Sequence, residues 1–164
     1  MNSLRYRDRV ALGPLQLQDP EEGSVRVITV GHWWSGRDAH MKLLVTCPIP
    51  AEWDGRTPVG LFDFGETGLG NAQGFESLMC LNGMPYQGVD SYHAEVILPK
   101  TAVGSTLELE FDLWSGLEGG GPPRTQHHQI RQAELAWLDV ATDDLYYTSW
   151  AMFDAATVLG SHDY

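Results

Sequence analysis

The amino-acid sequence predicts a mostly β protein, an antiparallel sandwich of two sheets followed by one C-terminal helix. Apolar and polar residues alternate in several short segments, most regularly in TLELEFDLW at residues 106–114. Such alternation is typical of strands that bury one face. Eighteen glycines and nine prolines are spread among these segments, as turns between many short strands require. A helical pattern follows only after residue 140.

Eight segments carry the strand pattern. They are residues 10–18, 24–30, 41–47, 59–64, 76–82, 92–98, 106–114 and 127–140. The first is interrupted by Gly13–Pro14, which suits an edge strand. Turn residues separate the segments at Asp19–Pro20, Asp54–Gly55, 65–74, Asn82–Gly83 and 116–123. Trp53 and Trp137 lie in apolar surroundings and are predicted to be core residues.

The C-terminal segment predicts a helix from about Asp143 to Leu159, with Thr142 as its N-cap. Acids in the first turn suit the helix dipole, and Gly160 suits the helix end. Two apolar stripes run along this helix. One contains Tyr146, Trp150 and Phe153, and the other contains Leu145, Met152 and Leu159. One stripe can rest on the sandwich, and the other then needs a second partner.

Composition and charge exclude several classes of function. The 164 residues, 43% of them hydrophobic, suffice for one globular core. Ten basic and twenty-two acidic residues leave a net charge of −12, which opposes binding to nucleic acid and to anionic membranes. The sequence shows neither a secretory signal nor a run of about 20 apolar residues. Cys47 and Cys80 are interpreted as reduced core residues of a cytoplasmic protein.

Asp90 and His93, in the segment NGMPYQGVDSYHAEVILP (82–99), are candidate site residues. Their spacing of three sends the side chains to opposite faces of a strand, so they converge only where the backbone bends. Three interpretations are open: a catalytic pair, a sugar contact, or polar residues that pin a loop or touch a neighbouring domain. The last is favoured, since base catalysis needs a more convergent arrangement.

Three tryptophans are candidate contacts with a sugar or with a partner domain. Trp33 and Trp34 lie in the turn-like segment GHWWSGRD, and Trp114 falls on the outward face of segment 106–114 with Glu108, Glu110 and Asp112. Indole rings at the rim of a sandwich can stack on sugars. Packing against another domain is the alternative.

The sequence carries no recognisable catalytic or cofactor motif. H-E-x-x-H, G-x-S-x-G and P-loop patterns are not found. His127 and His128 are adjacent in a predicted strand, so their side chains point to opposite faces and do not form a metal pair. No catalytic, cofactor or metal residue is therefore predicted in this chain.

Several segments together resemble the region ahead of the catalytic domain in bacterial α-mannosidases of glycoside hydrolase family 38. The likeness lies in LNGMPYQGVDSYHAEVILP, CPIPAEWDGR, LFDFGETG, LWSGLEGG and AELAWLDVATDDLYYTSWAMFDAATVL. It extends from about Trp33 to Leu159, and Gly88, Asp90 and His93 match a recurring QGxDxxH feature. The resemblance implies a jelly-roll, galactose-binding-like sandwich with a helical link into a catalytic barrel.

The same resemblance implies that the chemistry lies elsewhere. In that family a divalent metal, usually zinc, is held by His and Asp ligands including an H-x-D motif, and an Asp nucleophile acts in the retaining manner. These residues belong to the barrel. The terminal SHDY, residues 161–164, contains no His-x-Asp. No catalytic residue can therefore be assigned to this chain.

These observations lead to an expected function. Residues 1–140 would form an accessory β-sandwich domain, and residues 141–164 a helix linking it to a catalytic domain outside the chain. The sandwich would brace the barrel of an α-mannosidase, with Leu145, Tyr146, Trp150 and Phe153 as the docking residues, and would be inactive alone. The expected partners are that catalytic domain and mannosides. A homo-oligomer, a carbohydrate-binding module and a small stand-alone enzyme remain alternatives.

Overall fold

A computed structural model describes residues 2–65, 75–117 and 123–160. The strands in chain order are β1 (Tyr6–Ala11), β2 (Leu15–Asp19), β3 (Ser24–Ile28), β4 (Trp33–Gly36), β5 (His40–Pro48), β6 (Thr57–Asp63), β7 (Glu76–Leu81), β8 (Met84–Asp90), β9 (Glu95–Ile97), β10 (Thr106–Trp114), β11 (Gln126–Gln129) and β12 (Gln132–Leu138). The helix α1 (Val140–Gly160) follows, and short 3-10 turns cover Asn2–Arg5, Ala51–Trp53 and Lys100–Ala102. Most of the turn segments predicted at 65–74 and 116–123, and the terminal residues 161–164, lie outside the described residues.

Two antiparallel sheets form the sandwich. One has the order β1-β12-β6-β9, and the other has the order β3-β2-β5-β10-β7-β8. A third, small ladder joins β4 to β11. The predicted fold class, a two-sheet sandwich with a C-terminal helix, is confirmed.

The central strand β10 follows the predicted alternation. It pairs along its whole length with β5, from Thr106 opposite Pro48 to Trp114 opposite His40, and its other edge pairs with β7. Its inward side chains are fully or nearly fully buried. They are Leu107, Leu109, Phe111 and Leu113. Glu108 and Asp112 point outward and are exposed.

Aromatic rings fill the space between the sheets. Phe111 contacts Phe62 and Phe64 edge-on, with both pairs of ring centroids 4.8 Å apart. Phe64 also contacts Phe75 at 5.3 Å. Such tilted contacts add to the burial of large apolar surface. Trp53 is buried as predicted.

Two core predictions are only partly right. Cys47 is buried, and burial raises the pKa of its thiol to about 12, but Cys80 is half-buried because it lies opposite Glu110 on the outward face of β7. Trp137 is also half-buried, since its Nε1 donates to a carboxylate oxygen of Asp8 at 2.7 Å near the sheet edge.

Two predicted strands are each divided between sheets. Segment 127–140 splits into β11 and β12 because the Ile130 N–H donates to the carbonyl of His32 and the Arg131 N–H donates to that of Asp63. The chain thus leaves one ladder and enters another. Segment 10–18 likewise splits into β1 and β2. The predicted edge position holds for β1, whereas β2 is an interior strand.

Two strands lie where the sequence pattern indicated none. Trp33 and Trp34 belong to β4 rather than to a turn. β8 pairs with β7 through the predicted Asn82–Gly83 turn, which places Leu81 opposite Met84. Both turn residues have positive φ, 51° and 78°, as the favoured two-residue hairpin turn requires.

The helix α1 begins earlier than predicted. The carboxylate of Asp139 accepts a hydrogen bond from the Thr142 N–H at 3.3 Å, and the Asp143 N–H donates to the Asp139 carbonyl at 2.9 Å. Asp139 is therefore the N-cap, and the prediction that Thr142 caps the helix is wrong. The strand β12 ends one residue before this cap, so sheet and helix follow each other directly.

Candidate functional site

Among the described residues, the helix α1 stands out because most of its large apolar side chains are exposed. Its contacts with the sandwich are made by its first turns, and every residue from Trp150 to Leu159 is exposed. Met152 and Phe153 are 68% and 73% exposed. Leu145 and Trp150 are also exposed, whereas Tyr146 is half-buried. The expectation that one apolar stripe rests on the sandwich is therefore wrong, because both stripes extend beyond it.

Arg5 holds the first turn of α1 against the sandwich. Its guanidinium forms a bidentate pair with Glu95 on β9, at 2.7 and 2.9 Å, and its Nε donates to Asp143 at 2.5 Å. The Arg5 side chain is only 4% exposed. Burial acts to lower the pKa of Arg5, but the hydrogen bonds with Glu95 and Asp143 outweigh it and raise that pKa above its usual value.

Aromatic rings surround this guanidinium. Its central carbon lies 5.2 Å from the ring centres of Tyr6 and Tyr146 and 4.8 Å from that of Tyr147. The Tyr6 hydroxyl accepts a hydrogen bond from Arg5 at 3.0 Å. Burial, and next the hydrogen bond with Glu95, raise the pKa of Tyr6 above its usual value, so this tyrosine stays neutral at physiological pH.

A pocket of about 290 Å³ opens where the helix leaves the sandwich. Its lining residues are Arg5, Glu95, Tyr146, Tyr147 and Trp150, and we refer to it as the junction pocket. The sequence predicted Tyr146 and Trp150 as contact residues but not Arg5, Glu95 or Tyr147. Arg5 and Glu95 are 90 positions apart, and neither lies in a local motif that could have signalled their pairing.

Asp90 and His93 do converge, because the backbone bends after β8. The Asp90 carboxylate accepts hydrogen bonds from the backbone N–H groups of Tyr92 and His93 at 2.7 and 2.8 Å, and His93 Nδ1 lies 3.0 Å from it. Partial burial acts to raise the pKa of Asp90, but the hydrogen bonds with His93 and the backbone lower it. A carboxylate with a lowered pKa is a weak general base, so the geometry favours loop pinning.

The three candidate tryptophans do not share one environment. Trp34 is buried, donates from Nε1 to the Phe64 carbonyl at 2.9 Å and stacks on His128 at 4.4 Å. Its assignment as a sugar or interdomain contact is therefore wrong. Trp114 is half-buried, with its Nε1 held by Asp38 at 2.9 Å. Trp33 is 61% exposed and keeps an accessible ring.

His127 and His128 point to opposite faces of β11, as predicted. His127 is exposed, whereas His128 is buried with its Nε2 2.9 Å from the Ser115 carbonyl. This contact makes Nε2 the donor and leaves Nδ1 without a proton. Burial lowers the pKa of His128, which keeps the ring neutral.

Comparisons with protein families and with curated proteins assign no family to the chain. No protein-family model matches it, and curated proteins give no significant match. In the part of the chain that the structure describes, no helix combines the length and hydropathy needed to cross a membrane. Within residues 2–65, 75–117 and 123–160, no three His, Cys, Asp or Glu side chains are grouped to hold a metal ion.

Proposed function

We propose that the chain is a non-catalytic accessory module whose helix α1 docks onto a second folded domain. The exposed apolar surface of α1 carries this proposal. Leu145, Met152 and Leu159 recur every seven residues and so lie along one side of the helix. Burying each such side chain in an interface contributes about 1.5–3 kcal/mol. A partner domain would supply the burial that the sandwich does not.

The proposed partner is the catalytic domain of a family-38 α-mannosidase in the same polypeptide. The resemblance to the region ahead of that domain includes the segment that forms β12 and α1. On this proposal the full-length enzyme, in the cytoplasm, hydrolyses terminal α-mannosides with retention. Its zinc and its nucleophile belong to the catalytic domain. The sandwich braces the barrel and helps to shape the substrate entrance.

A second domain suits α1 better than a second copy of the chain. The charged residues of the helix are Asp143, Asp144 and Asp154, and it contains no basic residue. Two such helices side by side would place like charges together, which is unfavourable. A homo-oligomer built through α1 is therefore the less favoured alternative.

Titration of the 164-residue chain against a bacterial family-38 catalytic domain tests the proposal. We expect saturable binding that the double substitution Met152→Asp and Leu159→Asp weakens by at least about tenfold, because two apolar contacts become buried charges. Val27→Asp is the matched control, since Val27 is 71% exposed on β3, an edge strand of the six-stranded sheet. Absence of binding, or equal binding by all three proteins, would contradict the proposal.

A carbohydrate-binding role is the second candidate, and exposed Trp33 favours it. Trp33 on β4 lies opposite Gln129 on β11, and the exposed His127 lies two residues before Gln129 on β11. A flat ring beside polar side chains is suited to stacking on a sugar. Titration of mannose and methyl α-mannoside, followed by tryptophan fluorescence, tests this role. Binding lost in Trp33→Ala and kept in Trp114→Ala would support it, and no signal at millimolar sugar would reject it.

A further inference from the structure

Negative charge borders the junction pocket. The two charged residues that line it, Arg5 and Glu95, offset each other, and Asp143, which is bonded to Arg5, adds a negative charge beside the pocket. The neutral hydroxyl of Tyr6 adds none. The Trp150 indole is in turn hydrogen-bonded to the carboxylate of Asp154 at 2.9 Å, which brings a further negative charge near the rim. An anionic ligand would be repelled from such a site.

Electron-rich rings surround the pocket. Tyr146 contacts Trp150 at a centroid distance of 5.8 Å, and Tyr147 contacts Tyr146 edge-on at 5.1 Å. Tyr147 and Trp150 are exposed at the mouth. The inner side of this group of rings already binds a guanidinium, that of Arg5. Aromatic faces beside a carboxylate form a favourable environment for a cation.

The pocket is also preorganised. Arg5 joins the N-terminal 3-10 turn to β9 and to α1 through two ion pairs, so Glu95 and the first turn of α1 are held in place before a ligand arrives. Preorganisation lowers the cost of binding. A volume of about 290 Å³ suits the end of one long side chain better than a large ligand.

We propose that the junction pocket binds an arginine or lysine side chain from the domain that docks on α1. This inference rests on the proposed function and names the chemistry of the partner's contact. The cation inserts between Trp150, Tyr147 and Glu95, while the apolar stripes of α1 pack beside it. A basic side chain there also balances the negative charge that Asp144 and Asp154 give to the surface of the helix.

The test uses the 164-residue chain and three small probes: N-acetylarginine amide, N-acetyllysine amide and the neutral analogue N-acetylcitrulline amide. Backbone amide shifts of Glu95, Tyr146 and Tyr147 report occupancy in solution NMR. We expect saturable shifts with the two cationic probes, at roughly millimolar affinity for so small a ligand. Citrulline should bind at least about tenfold more weakly, because it lacks the charge that the rings and Glu95 recognise.

Matched helix variants locate the binding. Trp150→Ala should weaken arginine binding at least about tenfold, whereas Phe153→Ala should leave it unchanged, since Phe153 is an exposed aromatic residue of the same helix that does not line the pocket. Equal binding of citrulline, equal effects of both variants, or no saturation by either cation would overturn the proposal. Failure of the catalytic domain to bind, with arginine binding intact, would instead reject the proposed function alone.

Discussion

Asp90 acts at the scale of single residues as an anchor for the bend after β8. Asp90→Ala should lower the free energy of unfolding by about 1–2 kcal/mol, because two backbone N–H groups lose their acceptor. His93→Ala should cost less than about 0.5 kcal/mol, since the imidazole is largely exposed. Chemical denaturation of both variants measures the difference. A larger loss in His93→Ala would contradict the anchoring role.

The Asp90 contribution also has a defined pH dependence. Its folded pKa is lowered, so its stabilisation is present above the usual aspartate pKa of about 4 and is lost as pH falls through the folded value.

A catalytic role for Asp90 and His93 has its own test: the chain would hydrolyse an aryl α-mannoside, and His93→Ala would abolish turnover. We expect no turnover by either protein. Turnover that depends on His93 would restore the catalytic interpretation.

His128 contributes to the pH dependence in the same direction as Asp90, but at higher pH. Its folded pKa is lowered, so the unfolded chain takes up a proton near pH 6.5 that the folded chain does not. Stability should therefore fall as pH drops from 7.5 to 5.5, and His128→Phe should flatten this fall while keeping the stack on Trp34. His127→Phe is the control, because His127 is exposed. An equal dependence of the free energy of unfolding on pH in the unsubstituted chain, His128→Phe and His127→Phe would contradict this account.

Residue-level prediction from sequence succeeded where strand alternation applies. Adjacent strand residues point to opposite faces, and His127 and His128 do so. The same rule separates Trp33 from Trp34, but it does not say which of them is buried. The burial of Trp34 depends on a distant residue, because its indole N–H donates to the carbonyl of Phe64, 30 positions away.

At the scale of elements, Arg5 attaches the helix α1 to the sandwich through its two ion pairs. Arg5→Met should lower the free energy of unfolding by at least about 2 kcal/mol, because Glu95 and Asp143 would lose a buried partner. Arg7→Met is the control. It removes the pair with Asp139, which is more exposed, and should therefore lower the free energy of unfolding by less. Thermal and chemical denaturation compare the two, and equal losses would contradict the special role of Arg5.

Sequence predicted the elements better than their partners. The period-two pattern located β10 with its correct bounds, because that strand is central and half-buried. It did not reveal that segment 127–140 changes sheets, since the bonds of Ile130 and Arg131 go to distant carbonyls. The junction pocket was missed for the same reason, as its ion pair joins residues far apart in the chain.

In the whole molecule, apolar residues lie both in the buried core of the sandwich and on the exposed surface of the helix α1. Phe111→Ala should destabilise the chain by about 3–5 kcal/mol, because it empties space between the sheets. Phe153→Ser should change stability by less than about 0.5 kcal/mol in the isolated chain, because its ring is already in water. Urea denaturation measures both. A large loss in Phe153→Ser would mean that the helix packs on its own sandwich.

Hydrogen–deuterium exchange along α1 tests the central claim most directly. The chain is measured alone and then with an excess of the catalytic domain. We predict that the amides of residues 151–159 exchange readily in the isolated chain, because every side chain in this part of the helix is exposed, and become strongly protected in the mixture. Unchanged exchange on mixing, or full protection in the chain alone, would contradict the account.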